Sequence, residues 1–283
     1  MKSLTETIGL LKQRFFGTII LDSIDIYTGD KIVVESPAYL FRGENCFNND
    51  LLSTRQRFLL KKEINSDTKA EVQSVGNFLD QIMRENFGLP DMWSASLLQH
   101  YGFPTEVIDA TSDIDTAAAF AVSKNTSGLG RICIYPLKLL AQNSITIDLT
   151  KIEFARRPQR QHGYALFHKD YLDFRHPKIF ENIEVEVFDF TINASELKEF
   201  YRDDYLYEND KDQTLGIFNF LIDQLYKHQR SSEVQSWLDR NIPWTEITTR
   251  VIEKDKEGRP IKVEPVLFPE QYISYQDWKK LIR

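Results

Sequence analysis

The chain has 283 residues, of which 42% are hydrophobic and 12% aromatic, enough to bury one large core or two small ones. Its formal net charge of -7 argues against a duplex-DNA binder that relies on a broadly basic surface. No run approaches the roughly 20 apolar residues that span a bilayer, no signal peptide is recognisable and there are only two cysteines, so we expect a cytoplasmic protein without membrane association.

Hydrophobic periodicity predicts helices and strands in mixed order. A helix over residues 4–15 carries Leu4, Ile8, Leu11 and Phe15 on one side. Further helices are predicted over residues 69–87, 93–100 and 113–123, and strands over 18–21, 31–35, 38–42, 105–111, 131–137, 163–168 and 183–192. After residue 193 the pattern becomes mainly helical, over 213–228, 231–240 and 275–283. We therefore expect an α+β fold with a mixed, split sheet and flanking helices.

The helix predicted over residues 113–123 has a defined start and packing face. Ser112 is a suitable N-cap residue, and Asp115 follows three residues later as a variant of the capping box. Ala117, Ala118 and Ala121 lie on the apolar face of this helix. Because these side chains are small, we expect the helix backbone to approach its supporting element closely.

No internal repeat, low-complexity segment or flexible linker divides the sequence. We therefore expect a core over residues 1–194 and a helical C-terminal extension over residues 195–283 that packs on this core as a cap. Within the extension, the charged residues 254–259 predict a turn.

The common nucleotide, metal and hydrolase motifs are missing from the sequence. It has no GxGxxG after a strand, no Walker A loop, no HExxH, no pair of CxxC motifs and no GxSxG. The spacing of His162, His168 and His176 fits no metal template. We therefore expect no metal cofactor.

Three segments stand out together. They are Tyr39-Leu40-Phe41-Arg42-Gly43-Glu44, then Gln99-His100-Tyr101-Gly102-Phe103-Pro104-Thr105 running on through Ile108-Asp109-Ala110-Thr111 to Ala117–Ala121, and finally Arg157-Pro158-Gln159-Arg160-Gln161-His162-Gly163-Tyr164. In order and spacing, over about residues 36–190, they resemble the FRG domain, which is named for its Phe-Arg-Gly signature. The chain departs from that family at Ala110, where an aromatic residue is usual, and this implies a different pocket wall.

A second, fainter resemblance concerns the chemistry. An arginine on an early strand, followed by a threonine at a strand end before an alanine-rich helix, is similar to the plan of the ADP-ribosyltransferases. The resemblance implies that Arg42 holds NAD phosphate or ribose, that Thr111 orders the nicotinamide side of the pocket, and that Gln161 contacts the ribose and the acceptor. Those enzymes usually have a catalytic glutamate in the third motif, where this chain has Gln161-His162-Gly163.

The same resemblance implies a wider site, with NAD as the substrate. The NAD-binding residues would be Gly43, His100, Tyr101, Thr105, Asp109, Ser112 and Phe120. Tyr101 or Phe120 would stack on the nicotinamide, and Gly43 would let the backbone approach the phosphates. Arg156, Arg157 and Arg160 would bind an RNA or protein acceptor.

Each of these residues also has a structural interpretation. Arg42 can form an ion pair with Glu44 or Asp109. The other structural roles are helix capping for His100 and Thr111, turn capping for Asp109, core packing for Phe120 and a solvated loop for residues 156–160.

The sequence leaves three functions open. The first is NAD-dependent ADP-ribosyl transfer to RNA or protein by an intracellular toxin or phage-defence effector, with a neutralising antitoxin protein expected by analogy. The second is a catalytically silent ligand-binding or protein-interaction module on the same scaffold, which the missing glutamate favours. The third is NAD hydrolysis without transfer.

Overall fold

A computed structural model describes residues 1–24, 30–46, 52–87, 89, 91–100, 102–152, 156–168, 185–200, 221, 225, 230–241, 249–254 and 260–265. The chain forms two compact units, of which the first comprises Met1–Leu52 and Val107–Asn209 and the second Ser53–Glu106 and Asp210–Arg283. Apart from Leu221, Leu225 and Lys254, the helices predicted over 213–228 and 275–283 and the turn over 254–259 lie outside the described residues.

A seven-stranded sheet forms the centre of the first unit. Its strands are β1 (Lys2–Ser3), β4 (Tyr39–Glu44), β5 (Ile108–Thr111), β6 (Leu129–Pro136), β7 (Ser144–Asp148), β8 (Gly163–His168) and β9 (Glu186–Thr191). Their order across the sheet is β1-β9-β6-β4-β5-β8-β7. Only β1 and β9 pair in parallel, and the other neighbours are antiparallel. A separate antiparallel hairpin joins β2 (Thr18–Ile24) to β3 (Lys31–Pro37).

The described residues of the two units form nine α-helices. They are α1 (Leu4–Arg14), α2 (Thr54–Leu59), α3 (Ser66–Phe87), α4 (Asp91–His100), α5 (Ile114–Val122), α6 (Leu137–Asn143), α7 (Arg156–Arg160), α8 (Ala194–Phe200) and α9 (Ser232–Asn241). A mixed sheet with interleaved helices confirms the α+β class. The sequence-based prediction does not include α2, α6 or α7, because helices of five to seven residues are too short to establish a hydrophobic period. It also missed β7, although Ile145 and Ile147 alternate there with polar residues.

Apolar cores cover both faces of the seven-stranded sheet. On one face, α1 and α5 bury Leu4, Ile8 and three alanines, Ala117, Ala118 and Ala121, against the sheet residues Phe41 and Ile132. On the other face, the core contains Leu40, Ile108, Cys133, Tyr135 and Leu166, with Ile19 and Leu21 of the β2–β3 hairpin packed against it. Because successive strand residues point to opposite faces, β4 sends Phe41 and Gly43 towards α5 and Leu40, Arg42 and Glu44 to the other side.

The start of α5 differs by one residue from the sequence prediction. Asp113, and not Ser112, is the N-cap, and its carboxylate accepts hydrogen bonds from the backbone N–H groups of Asp115 and Thr116. The backbone N–H of Ser112 instead donates to the carbonyl of His162 at 3.0 Å. Ser112 thus still belongs to the end of the strand, and the predicted N-cap was wrong because this tertiary hydrogen bond holds it there.

The close helix–strand contact expected for the alanine face is present. Ala117, Ala118 and Ala121 are all fully buried. A Cβ atom at Gly43 would overlap the carbonyl oxygen of Ala117 and lie 2.9 Å from the backbone nitrogen of Ala121. Residue 43 therefore has to be glycine for α5 to lie against β4 at this distance.

In the second unit, α9 packs on the segment that precedes Val107. The ring of Trp237 on α9 lies 5.0 Å from the ring of Phe58 on α2, and the hydroxyl of Thr68 on α3 donates to Glu233 at 2.7 Å. The sequence-based boundary at residue 195 stays a prediction, and limited proteolysis can test it.

The second unit also contains an antiparallel hairpin of β10 (Thr249–Lys254) and β11 (Pro260–Pro265). The described C-terminal residues are therefore not exclusively helical, and this corrects the expected helical extension in that respect. Both strands are six residues long and carry several charged residues, so their apolar alternation is weak in the sequence.

In the second unit, a buried ion pair links α2 to the segment that precedes Val107. The guanidinium of Arg55, only 2% exposed, pairs with the carboxylate of Glu106 and donates from Nε to the carbonyl oxygen of Pro104 at 3.3 Å. α3 passes so close that a Cβ atom at Gly76 would overlap the Arg55 guanidinium. Arg55 therefore fixes the segment from Pro104 to Glu106 beside α3.

We predict that Gly43→Ala lowers the free energy of unfolding by at least about 2 kcal/mol, because the new methyl group collides with the α5 backbone, which cannot move aside as a side chain can. Gly9→Ala on α1 is the matched control, since nothing lies within 4 Å of a Cβ atom there. It should raise the same free energy by about 0.5–1 kcal/mol. Urea unfolding of the full chain measures both, and equal effects would contradict the proposed contact.

A second prediction concerns Glu196, whose carboxylate accepts from the backbone N–H of Thr5 at 2.8 Å and of Asn193 at 3.0 Å. Burial alone would raise the pKa of Glu196, but these hydrogen bonds outweigh it and lower the pKa below its ordinary value. The wild-type advantage in unfolding free energy over Glu196→Gln should therefore be complete above about pH 5 and disappear as pH falls through the lowered pKa. Exposed Glu199 supplies the control substitution Glu199→Gln, and unfolding curves between pH 3 and pH 7 measure the difference.

Candidate functional site

Arg42 lies on β4 near the centre of the sheet and is held on two sides by carboxylates. Its Nη1 donates to the carbonyl oxygen of Asp109 at 2.8 Å and to the Oδ1 of the same residue at 2.5 Å. Its Nε donates to Glu44 Oε1 at 3.2 Å. The structural ion pairs that the sequence left open for Arg42, with Glu44 or Asp109, are therefore both present.

These contacts occur where the sheet opens. β4 pairs with β6 along its whole length and β5 with β8 along its whole length, but β4 and β5 pair only at Phe41 and Thr111. The hydrogen bond from Arg42 to the Asp109 carbonyl crosses the gap beyond this pair. The guanidinium thus replaces a missing backbone contact between the two central strands.

The charges around Arg42 continue across the sheet in alternation. Glu44 lies opposite Arg131 in the β4–β6 register, and Arg131 donates from Nε to Asp189 on β9 at 2.6 Å. From β5 to β9 the order is Asp109, Arg42, Glu44, Arg131 and Asp189, and we refer to these five residues as the charge row. It contains one more carboxylate than guanidinium, so its net charge is negative.

Burial and charge shift the ionisation of this region. Burial opposes the positive charge of Arg42, but the carboxylates of Asp109 and Glu44 outweigh it and raise the pKa of the guanidinium. Cys133, opposite Arg42 on β6, is buried, and burial raises the pKa of its thiol to about 12. Burial also raises the pKa of Tyr135 well above its ordinary value. Arg42 therefore stays charged, while Cys133 and Tyr135 stay neutral at physiological pH.

One edge of Arg42 stays available. Its side chain is 18% exposed, whereas the side chain of Glu44 is 3% exposed. Within the described part of the chain, the two N–H groups of Nη2 form no hydrogen bond. A planar guanidinium fixed by two partners, with a free pair of donors, suits an anionic oxygen.

Thr111 and Gln161 come together next to this gap. The hydroxyl of Thr111 donates to the backbone carbonyl of Gln161 at 2.7 Å and accepts from the backbone N–H of Asp113 at 3.0 Å. The side chain of Gln161 is buried. Residues of the three motifs lie on or directly beside neighbouring strands, since β4, β5 and β8 are consecutive in the sheet. The Thr111 hydroxyl is, however, already engaged in joining β5 to the turn before β8.

The other predicted site residues of the first unit differ in how buried they are and in which face of the sheet they lie on. Gly43 faces α5, opposite to the side of Arg42, so its close contact is with a helix. Phe120 is half-buried on α5. Arg156 begins α7, whereas Arg157 is buried and Arg160 half-buried. The alternative description of residues 156–160 as a solvated loop is therefore wrong for Arg157.

The residues around His100 belong to the second unit and have local structural roles. α4 ends at His100, and Gly102 adopts a left-handed backbone with φ of 86°. Its N–H donates to the carbonyl of Gln99 at 3.0 Å, and the hydroxyl of Thr105 donates to the Gln99 side chain at 2.8 Å. Gly102 and Thr105 thus shape the end of a helix. Tyr101 lies outside the described residues.

Sequence reasoning named Glu44 as a partner of Arg42 but not Arg131, Tyr135 or Asp189 as groups in the surrounding sheet. Strand alternation does place Glu44 on the same face as Arg42. The positions of Arg131 and Asp189 depend on the register between β4, β6 and β9, for which the sequence carries no comparable signal.

Residues 37–128 match the family model of the FRG domain. The chain contains an FRG domain. The matched part of the FRG domain includes Arg42, Gly43, Asp109 and Thr111, whereas Gln161 lies beyond it. It also includes residues 53–106 of the second unit, so the FRG match draws on both compact units. No curated protein and no solved structure matches the chain.

Two further features of the described residues bear on the site. Among them, no three histidine, cysteine, aspartate or glutamate side chains are grouped so that they could hold a metal ion. None of the described helices is both long and apolar enough to cross a membrane.

We predict that Thr111→Val lowers the unfolding free energy by about 1–3 kcal/mol, because the carbonyl of Gln161 and the N–H of Asp113 lose a buried partner. The same substitution at Thr18, an exposed threonine whose hydroxyl donates to Glu35, should stay within about 0.5 kcal/mol of wild type. Chemical unfolding measures both variants. If Thr111→Val unfolds with the same free energy as Thr18→Val, the Thr111 hydroxyl does not join β5 to the turn before β8.

Proposed function

We propose that this protein is an NAD-dependent ADP-ribosyltransferase on an ADP-ribosyltransferase-like version of the α+β fold, with NAD consumed as the substrate. The observation that carries the proposal is the free Nη2 edge of Arg42. The guanidinium is fixed by Asp109 and Glu44, is partly exposed, and has two donors that form no hydrogen bond within the described residues. Such an edge can bind a phosphate oxygen of NAD with little loss of side-chain entropy.

The chemistry of NAD cleavage fits a site that combines a guanidinium with carboxylates. Breaking the nicotinamide–ribose bond develops an oxocarbenium-like cation on the ribose. Nicotinamide leaves without protonation, because its ring in NAD is already cationic. The protein then has to hold the phosphates and to stabilise positive charge at the ribose. Arg42 would serve the first task, and nearby Asp109 and Glu44 carry the charge that the second requires.

The acceptor would bind on the side of α7. Arg156 begins this helix and half-buried Arg160 ends it, directly before the turn that Thr111 contacts through Gln161, whereas buried Arg157 would support the helix from within. Positive side chains there suit RNA phosphates or an acidic protein segment. A role as a toxin or phage-defence effector, together with a neutralising partner, rests on the resemblance alone and stays part of the proposal.

A catalytically silent ligand-binding module is the second candidate. Two observations favour it: Arg42 is already compensated by two carboxylates, and the third motif contains Gln161 where a carboxylate would be expected. Hydrolysis of NAD without transfer is the third candidate. Incubation with labelled NAD separates them, since it yields a labelled macromolecule, free ADP-ribose or unchanged NAD.

We predict that Arg42→Lys lowers the free energy of unfolding by about 1–3 kcal/mol, because lysine cannot keep all the hydrogen bonds to Glu44 and Asp109, and lowers NAD turnover about 10- to 100-fold. Lysine keeps the positive charge between Glu44 and Asp109, so no buried carboxylate is left without a counterion. It lacks the planar fork, and the loss of a charge-assisted hydrogen bond costs about 1.5–3 kcal/mol. Thermal melts and turnover of labelled NAD measure the two effects.

Arg131→Lys is the matched control, because Arg131 belongs to the same charge row but is bound to Asp189 at both Nε and Nη2. It should leave turnover unchanged. Full turnover by Arg42→Lys would mean that Arg42 acts only as a structural counterion. Arg42→Ala is less informative, because it leaves the buried Glu44 carboxylate without its partner.

A further inference from the structure

The charge row presents an excess of negative charge beside the free edge of Arg42. It contains Asp109, Glu44 and Asp189 against Arg42 and Arg131. Arg131 is satisfied by Asp189, so Arg42 remains between two carboxylates. A ligand that carries only negative charge would therefore gain one guanidinium edge but meet two nearby carboxylates.

The carboxylate of Glu44 is also incompletely compensated. Its Oε1 accepts from Arg42, whereas its Oε2 is buried and has no hydrogen-bond partner among the described residues. Asp109, with a side chain that is 28% exposed, lies on the other side of the same guanidinium. A buried, poorly solvated carboxylate exerts a stronger electrostatic effect on a nearby charge than an exposed one. Both features favour a positive group next to the anion that Arg42 binds.

We propose that Asp109, supported by Glu44, makes this site selective for the oxidised dinucleotide NAD⁺ over its reduced form NADH. The proposal rests on the proposed function and assigns its substrate specificity. NAD⁺ carries its phosphates close to a cationic pyridinium ring, and NADH carries the same phosphates with a neutral ring. Arg42 binds the anionic part of either form, and the carboxylates distinguish the two rings.

The two dinucleotides are suitable probes because they differ by one positive charge and share every group that Arg42 can contact. The fluorescence of NADH reports its binding to the full chain, and displacement by NAD⁺, read within the first minute, gives the second dissociation constant. Wild type should bind NAD⁺ about tenfold more tightly than NADH, as expected for one additional attractive charge near a partly buried carboxylate.

Asp109→Asn is the decisive variant. Asparagine keeps the backbone carbonyl and a side-chain oxygen as acceptors for Arg42, so it removes the charge while retaining the contacts. The preference for NAD⁺ should fall to within about twofold, and NADH should bind more tightly than to wild type because Arg42 is less compensated. Asp189→Asn is the matched control, since it removes a carboxylate from the far end of the charge row on β9 and should retain the tenfold preference.

The possible results separate this inference from the proposed function. Equal affinities of wild type for both dinucleotides, with NAD turnover present, would overturn the selectivity and leave the function intact. A preference that survives in Asp109→Asn, or that disappears equally in Asp189→Asn, would also overturn the role of Asp109. Binding of neither dinucleotide by wild type would refute the proposed function and the inference together.

Discussion

The alanine face of α5 lies directly on β4, where the Ala117 carbonyl leaves no space for a side chain at residue 43. This contact sets the orientation of the whole strand. Phe41 joins the core beneath α5, and Arg42 and Glu44 point to the opposite face. Each residue of the Phe-Arg-Gly signature thus has a distinct physical role: Phe41 fills a core, Gly43 permits the helix contact and Arg42 carries charge to the other side.

Arg42 links the architecture to the candidate chemistry. It crosses the gap at which β4 and β5 separate, and its contacts with Asp109 and Glu44 keep the guanidinium in one orientation. The same contacts reduce its net attraction for an anion, so a structural role and a binding role compete at one side chain. The Nη2 edge, which forms no hydrogen bond within the described residues, would allow both, because an arginine can hold its neighbours with one part of the fork and the proposed ligand with the other. Much of the second motif, by contrast, has a structural role. The Pro104 carbonyl and the Glu106 carboxylate bind the Arg55 guanidinium, and Gly102 follows the end of α4 with a left-handed backbone.

The local pattern of the sequence determined a large part of this structure. Hydrophobic periodicity identified α1, α3 and α5 and the strands that carry Arg42 and Thr111. The alanines of α5 predicted its close approach to the neighbouring element. Alternation along β4 also placed Glu44 on the same side as Arg42. These features depend on residues within a few positions of one another, so the spacing of those residues in the sequence predicts them.

Only the tertiary structure decided what surrounds Arg42. The gap between β4 and β5, the hydrogen bond to Asp109 across 67 positions of sequence, and the row that reaches Arg131 and Asp189 all depend on strand register. Register is set by the simultaneous packing of both sheet faces, and a shift of one residue would exchange the buried and charged sides of a strand. The sequence thus determined which side of β4 carries the arginine, whereas the pairing of distant strands decided how its charge is compensated.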